Sequence, residues 1–430
     1  MAIREQPWWI RIFFGIGVVA TLGAIITLFF ALGRRPPAMW TSESHPVGTK
    51  DFLAAVAGGV GSSVEIGGKV ELLANGDRMF PPLLEDLRAA QKTIHFTVFI
   101  WEEGKLSEQI AQIMIERARA GVVVRLLLDS LGAVKSSGEQ MDRMRAAGVK
   151  VEMFREARLG RFTRYHRRTH RRAIVMDGKV GYTGGAAIAD KWMGDARNEK
   201  EWRDDLFRVT GPMAASLQTA FAELWTGSTG EILAGDAVWP AVERGGTDTV
   251  HVPLASSPVD EKHPLRIFFA LSFQGAREKL YIASSYFVPD AHTRRFVAER
   301  ARAGVDVRLL VPSDKTDAGP IRQATHYYLD ALMEAGVRVW EFQPAMMHSK
   351  YVIADGKWSV VGSANMDVRS KELNSENVLG ILDTHLAGAL ESVFLNDLGR
   401  SKEIQLGEWR QRGSWKRFKE QVCALFVEQY

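Results

Sequence analysis

The chain has 430 residues, 46% of them hydrophobic and 25% charged, with 39 glycines, 15 prolines and one cysteine. That composition excludes a disordered chain, a collagen and a coiled-coil rod, and the length allows two or three domains with cores of their own. The lone Cys423 excludes an internal disulfide, a cysteine-built metal cluster and a CxxC redox pair, and a net charge of +4 is too small to imply a nucleic-acid partner.

From Ile12 to Leu32 run 21 residues without a charge. At about 1.5 Å per residue they span a hydrocarbon core of roughly 30 Å. Arg4 and Arg11 precede the run, Arg34 and Arg35 follow it, and Trp8 and Trp9 suit the interface. The rival reading is a cleaved signal peptide, whose apolar region is usually about 7–15 residues. Residues 1–35 are therefore predicted to be an anchor that crosses a bacterial inner (cytoplasmic) membrane once. The adjacent Arg34-Arg35 pair favours a cytoplasmic body.

Residues 36–64, with Pro36-Pro37, Gly58-Gly59 and Gly61, read as a loose linker. Beyond it strands and helices alternate, which predicts an α/β fold. Val70–Leu73 reads as a strand, Asn75-Gly76 as a turn, and Pro81-Pro82 as the start of a helix. Thr93–Ile100 reads as a strand, 106–120 as a helix and Val122–Leu128 as a buried strand.

The text then repeats. Lys92-Thr-Ile returns as Lys279-Leu-Tyr at an offset of 187, Ala120-Gly-Val as Ala303-Gly-Val at 183, and Ala147-Gly-Val as Ala335-Gly-Val at 188. Matches at nearly one offset predict a duplicated domain. The copies are assigned to 65–230 and 263–400, with 231–262 as the hinge and 401–430 as an amphipathic tail. A pseudo-two-fold between the copies would bring equivalent residues face to face.

The second copy carries His348-Ser-Lys350, Asp355 after four more residues, and then Gly362-Ser363-Ala-Asn365. Strand alternation puts His348 and Lys350 on one face. The glycine-hydroxyl-amide turn can offer donors to a phosphate. In the first copy His170, Arg172 and Asp177 keep the same spacing, and Gly184-Gly185 follow at the same interval.

This pattern resembles the phospholipase D superfamily, with two copies of His-x-Lys-x4-Asp. The flanks Trp202-Arg203-Asp204, Tyr286-Phe287-Val288-Pro289-Asp290, Asp367-Val-Arg369-Ser370 and Leu373-Asn374-Ser-Glu376 are similar to those of the bacterial cardiolipin synthases. The likeness runs over about residues 65–400. It implies two similar α/β/α sandwich domains related by a pseudo-two-fold. It also implies a phosphatidyltransferase that joins two phosphatidylglycerols into cardiolipin and releases glycerol. The family's covalent phosphohistidine would form on His170, with His348 as acid and base.

Two positions depart from that pattern. Arg172 stands where lysine is usual and Ala187 where asparagine is usual. Arginine keeps the charge and can grip a phosphate with two donors. The alanine removes one amide.

The chemistry accounts for these residue types. Displacement at phosphorus gathers negative charge on oxygen, which Arg172, Lys350, Ser363 and Asn365, with the Gly184-Gly185 turn, would meet. Asp204 and Glu376 are the acids expected to orient the imidazoles. Asp177 and Asp355 complete each motif and are expected to hold the turn beside the site. No metal or cofactor is expected, because the cationic side chains supply the electrostatics.

The expected partners are a phospholipid membrane and its anionic phosphatidylglycerol, with no nucleic acid. The alternatives are phospholipid hydrolysis, then a nucleic-acid phosphodiesterase, then a lipid-binding relative without activity. His166 and His170 have the spacing of a helical metal pair but lack a third ligand. His95, in an apolar strand, reads as a satisfied core histidine. Eight arginines between Arg155 and Arg172 read either as a solvated run or as a headgroup collar. Trp415, Phe418, Val422, Leu425 and Phe426 form a helical stripe that suits a bilayer surface or a core equally.

Overall fold

The computed structural model describes residues 7–32, 39–155, 167–243, 245, 247–258 and 263–426. The chain divides into a unit of residues 1–42 and a unit of residues 43–430.

The first unit contains one helix, Trp8–Leu32, with no charged residue but Arg11. Trp8, Trp9, Phe13 and Phe14 on it are exposed. Among the described residues no helix is long and apolar enough to cross a membrane. Several side chains of this helix lie outside them.

The second unit holds the duplication. In sheet order, the first half runs Val70–Ala74, Asp205–Thr210, Val180–Gly184, Ala173–Met176, Thr93–Val98, Val123–Asp129, Lys150–Phe154. The second half runs Val250–Ser256, Asn374–Leu382, Trp358–Gly362, Lys350–Ala354, Lys279–Ser284, Asp306–Pro312, Arg338–Phe342. The two orders match strand for strand, and in each the last three strands pair in parallel and the rest antiparallel. The helices Pro212–Thr229 and Thr384–Gly399 lie against both sheets. Phe221, Trp225, Leu390 and Phe394 share one buried cluster with residues of both halves, so a continuous core joins them.

The strand register corrects one of the repeat matches. Val123 N–H donates to Lys92 C=O and Asp306 N–H to Glu278 C=O. Lys92 is therefore equivalent to Glu278, at an offset of 186 rather than 187. A one-residue slip turns every side chain to the other face of a strand. The corrected offset makes Phe99 equivalent to Ser285.

Four further readings change. The linker carries a helix, Lys50–Val60, whose Phe52, Val56 and Val60 are buried against the helix Pro264–Gly275. These residues recur every fourth position, so the segment has an apolar stripe despite its glycines. The hinge stretch contains the strand Val250–Ser256, which pairs with Asn374–Leu382 in the second sheet.

Pro81 and Pro82 lie inside the helix Gly76–Ala89 rather than at its start. They forfeit two ladder donors, while Met79, Phe80 and Leu83 bury around them. In the tail, Ser401–Glu403 extends the second sheet beside Arg338–Phe342, and the helix Ser414–Leu425 packs on Gly319–Glu334.

Candidate active site

Each motif histidine sits immediately outside a central strand, where two backbone crossings lock the halves together. His170 N–H donates to Ser375 C=O at 2.9 Å, and His348 N–H donates to Arg203 C=O at 2.7 Å. Ser375 precedes Glu376 and Arg203 precedes Asp204, so each crossing delivers an acid of one half to the imidazole of the other. Nδ1 of His170 lies 3.0 Å from Glu376 Oε1. Nδ1 of His348 lies 2.7 Å from Asp204 Oδ2. With a carboxylate accepting at Nδ1, that nitrogen carries the hydrogen and Nε2 keeps a lone pair.

Both histidines are buried, His170 at 7% exposure and His348 at 2%. Burial, then the Arg172 charge, pushes His170 down to about 4. Burial, then Lys350, pushes His348 well below the usual histidine value. The two rings have different walls. His170 meets the ring of Phe99 at 5.2 Å, whereas His348 sits among Trp192, Trp202 and Tyr286 at 5.4, 5.4 and 6.0 Å.

The cations also occupy equivalent places. Lys350 Nζ donates to His348 C=O at 2.7 Å and to Ser285 Oγ at 2.8 Å. Arg172 Nη1 donates to His170 C=O at 2.6 Å. Burial pushes the Lys350 ammonium down to about 7, with Asp204 opposing, and burial also lowers Arg172. The remaining Arg172 donors, Nε and Nη2, are buried and have no partner among the described residues.

The other expected site residues divide. Asn365 accepts from Ser285 Oγ at 2.7 Å, which ties it to Lys350. Ser363 does not face the cleft as a free donor: its hydroxyl donates to Glu376 Oε2 and accepts from Asn377 N–H. Its equivalent, Gly185, is a glycine because a Cβ there would lie 2.2 Å from Asp204 Oδ1. Trp192 Nε1 takes the serine's part, donating to Asp204 at 2.8 Å. Gly184 and Gly362 share φ +147, and a Cβ on either would strike a neighbouring strand carbonyl at 2.3 Å. They permit this close backbone approach.

Asp177 and Asp355 lie at the far end of their strands, not at the imidazoles. Each holds a left-handed turn, with φ 52 and 54. Asp177 accepts from Gln91, Lys92 and Thr93 N–H, and Asp355 from Arg277, Glu278 and Lys279 N–H.

Part of the arginine run is structural. Arg168 is buried in an ion pair with Asp129 at 2.7 Å, and Arg171 is tied to Ala220 and Ser256 carbonyls and to Glu223. Arg158, Arg161, Arg164 and His166 lie outside the described residues, and the described ones contain no group of three or more metal-ligating side chains. His95 is buried against Gln218 and Phe221, as its strand context predicts.

Sequence reasoning missed Ser285, Asn377 and Trp192. Asn377 spans the halves, accepting from Arg172 N–H and donating to Arg172 C=O and Thr183 Oγ1. Its place two residues after Ser375 on one strand was the available signal.

A family model described as cardiolipin synthase, phospholipase D-like domain, matches residues 83–225 and 272–398. The chain is 34% identical over 342 residues to a protein named cardiolipin synthase A from Pseudomonas syringae, covering 79% of this chain and 70% of that one. It is 33% identical over 356 residues to cardiolipin synthase 2 of Bacillus anthracis, covering 82% and 69%. Among solved structures, phosphatidylserine synthase of Haemophilus influenzae superposes with a TM-score of 0.68 at 15% identity, covering 88% of this chain and all of that one. That likeness is one of fold.

Proposed function

The chain belongs to the cardiolipin synthase family of phospholipase D-like proteins, and from that premise we propose that it transfers a phosphatidyl group from one phosphatidylglycerol to another. His170 Nε2 attacks phosphorus, the bond from phosphorus to the glycerol oxygen breaks, and His348 gives that oxygen its proton. A hydroxyl of the second phosphatidylglycerol then loses its proton to His348 and attacks the phosphohistidine. Cardiolipin leaves and His170 is free again.

The observation that carries this reading is the crossed pairing of each imidazole with a buried acid of the other half. It fixes two Nε2 atoms, one to bond phosphorus and one to carry a proton. Burial and two cations hold the imidazoles neutral. An entering phosphodiester anion reverses that field and lets His348 take up the proton it must donate. Arg172, Lys350 and Asn365 meet the charge on the phosphoryl oxygens.

We further propose that Ile12–Leu32 anchors the protein in the bacterial inner membrane, with the body on the cytoplasmic side. The helix Ser414–Leu425 supports a second contact with the anionic bilayer. Trp415, Phe418 and Leu425 are exposed on it, whereas the acid Glu420 points inward to Arg412 at 3.0 Å. Such a helix has its apolar side in solvent, flanked by Lys416, Arg417 and Lys419, which complement anionic headgroups.

Purified protein in detergent, given labelled phosphatidylglycerol, should yield cardiolipin and free glycerol. Phosphatidic acid alone would identify a hydrolase. Cleavage of single-stranded DNA would identify a nuclease. Activity unchanged in both His170→Ala and His348→Ala would overturn the mechanism.

A further inference from the structure

The corrected register aligns three positions of the first half with three of the second. Phe99 is equivalent to Ser285, because Trp101 bridges Ile188 as Phe287 bridges Met366. The same bridges make Ala187 equivalent to Asn365, and motif spacing makes Arg172 equivalent to Lys350. In the second half these residues form a polar chain: Lys350 Nζ to Ser285 Oγ at 2.8 Å, and Ser285 Oγ to Asn365 Oδ1 at 2.7 Å. In the first half all three differ together, and the polar chain is gone.

What replaces it is coherent. Arg172 Nη1 makes the contact to its own motif's histidine carbonyl that Lys350 Nζ makes opposite, at 2.6 Å against 2.7 Å. An arginine has donors to spare after that bond. A serine at 99 or an amide at 187 would accept from them. Phe99 and Ala187 carry no acceptor on their side chains, Ala187 lies in the apolar cluster of the first half, and Nε and Nη2 are left buried without a partner among the described residues. A buried guanidinium edge of this kind costs stability unless an anion fills it, and two adjacent donors match two phosphoryl oxygens.

We infer that Phe99, Arg172 and Ala187 are one built set: a phosphate fork in which Phe99 and Ala187 are positioning residues that keep the Nε and Nη2 donors of Arg172 free for the two non-bridging oxygens of the phosphodiester. The first motif is therefore specialised, not decayed. This rests on the transferase reading for its substrate but not for its phosphate.

The test uses the full chain in detergent, with phosphatidylglycerol turnover and, independently, binding of inorganic phosphate. Arg172→Lys should weaken phosphate binding and raise KM about tenfold or more, because a charge-assisted bond is lost. It should also add a titrating amine, which steepens the alkaline fall in kcat/KM. Ala187→Asn alone should lower kcat/KM, because its amide captures the fork.

The triple variant Phe99→Ser/Arg172→Lys/Ala187→Asn copies the second half's trio and should recover at least tenfold over Arg172→Lys alone. Unfolding temperatures separate lost folding from lost binding. Two results would overturn the inference: Ala187→Asn raising activity in the Arg172 background, or the triple variant falling to the product of its single losses. If phosphatidylglycerol is not turned over at all, phosphate binding still decides the fork.

Discussion

Nδ1 of His348 and Oδ2 of Asp204 stand 2.7 Å apart, although 144 residues and the boundary between the two halves separate them. The mirrored contact, His170 to Glu376, spans 206 residues. Each imidazole therefore takes its carboxylate from the other half.

Removing one acid should disable the opposite motif. Asp204→Asn places an amide where Nδ1–H needs an acceptor, and turnover should fall by about 10–100-fold or more, since such partners tune and orient the imidazole. Combined with His348→Ala it should add little, because both changes disable one unit. Additive losses by steady-state kinetics would break the pairing.

Activity should have a defined pH range. His170, held at about 4 by burial and Arg172, must be neutral to attack, so kcat/KM rises as pH passes that value. His348, held low in the free enzyme, must gain a proton with the substrate, and Lys350, held at about 7 by burial, must be charged, so kcat/KM declines toward alkaline pH and more steeply past 7. Lys350→Arg should move the alkaline limb upward, because guanidinium stays charged. An unmoved limb in the pH profile would assign it elsewhere.

Asp177→Ala should lower stability with little effect on turnover by the folded fraction. It removes the acceptor for three backbone N–H groups and puts alanine at φ 52. The loss is on the order of 3 kcal/mol in denaturant unfolding. A fall in kcat at unchanged stability would place Asp177 in the chemistry.

The tail is tested by an environment-sensitive fluorophore at Phe418→Cys in a Cys423→Ser full chain reconstituted in vesicles. Its emission should shift blue in equal parts phosphatidylcholine and phosphatidylglycerol, but not in phosphatidylcholine alone. A label at Glu71→Cys should not respond. Reversing Lys416, Arg417 and Lys419 to glutamate should abolish the shift, each basic residue being worth roughly fivefold in partition. Full quenching by aqueous iodide in the anionic vesicles would exclude docking.

The duplication and the histidines were legible because strands repeat local text, and motif spacing survives drift. The crossed pairing was not, since it depends on two long-range backbone crossings. The bond that holds the Ser363 hydroxyl was hidden for a related reason: its neighbours in sequence suggest a phosphate turn, and its partner Glu376 comes from another strand. The Phe99–Ser285 equivalence hid behind a one-residue slip between Lys92-Thr93 and Lys279-Leu280, which only pairing partners resolve. Arg168 and Arg171 look like surface charge in a basic run, and the structure buries them.

The most direct test of the account is to find the covalent intermediate. Rapid acid-free quenching of the enzyme with phosphatidylglycerol labelled at phosphorus, followed by peptide mass spectrometry, should place a phosphatidyl group on His170. The group should be lost in His170→Ala and accumulate when enzyme is in excess over phosphatidylglycerol, so that no second lipid is left to accept it. Turnover with no modified histidine, or with the label on a residue outside the cleft, would contradict it.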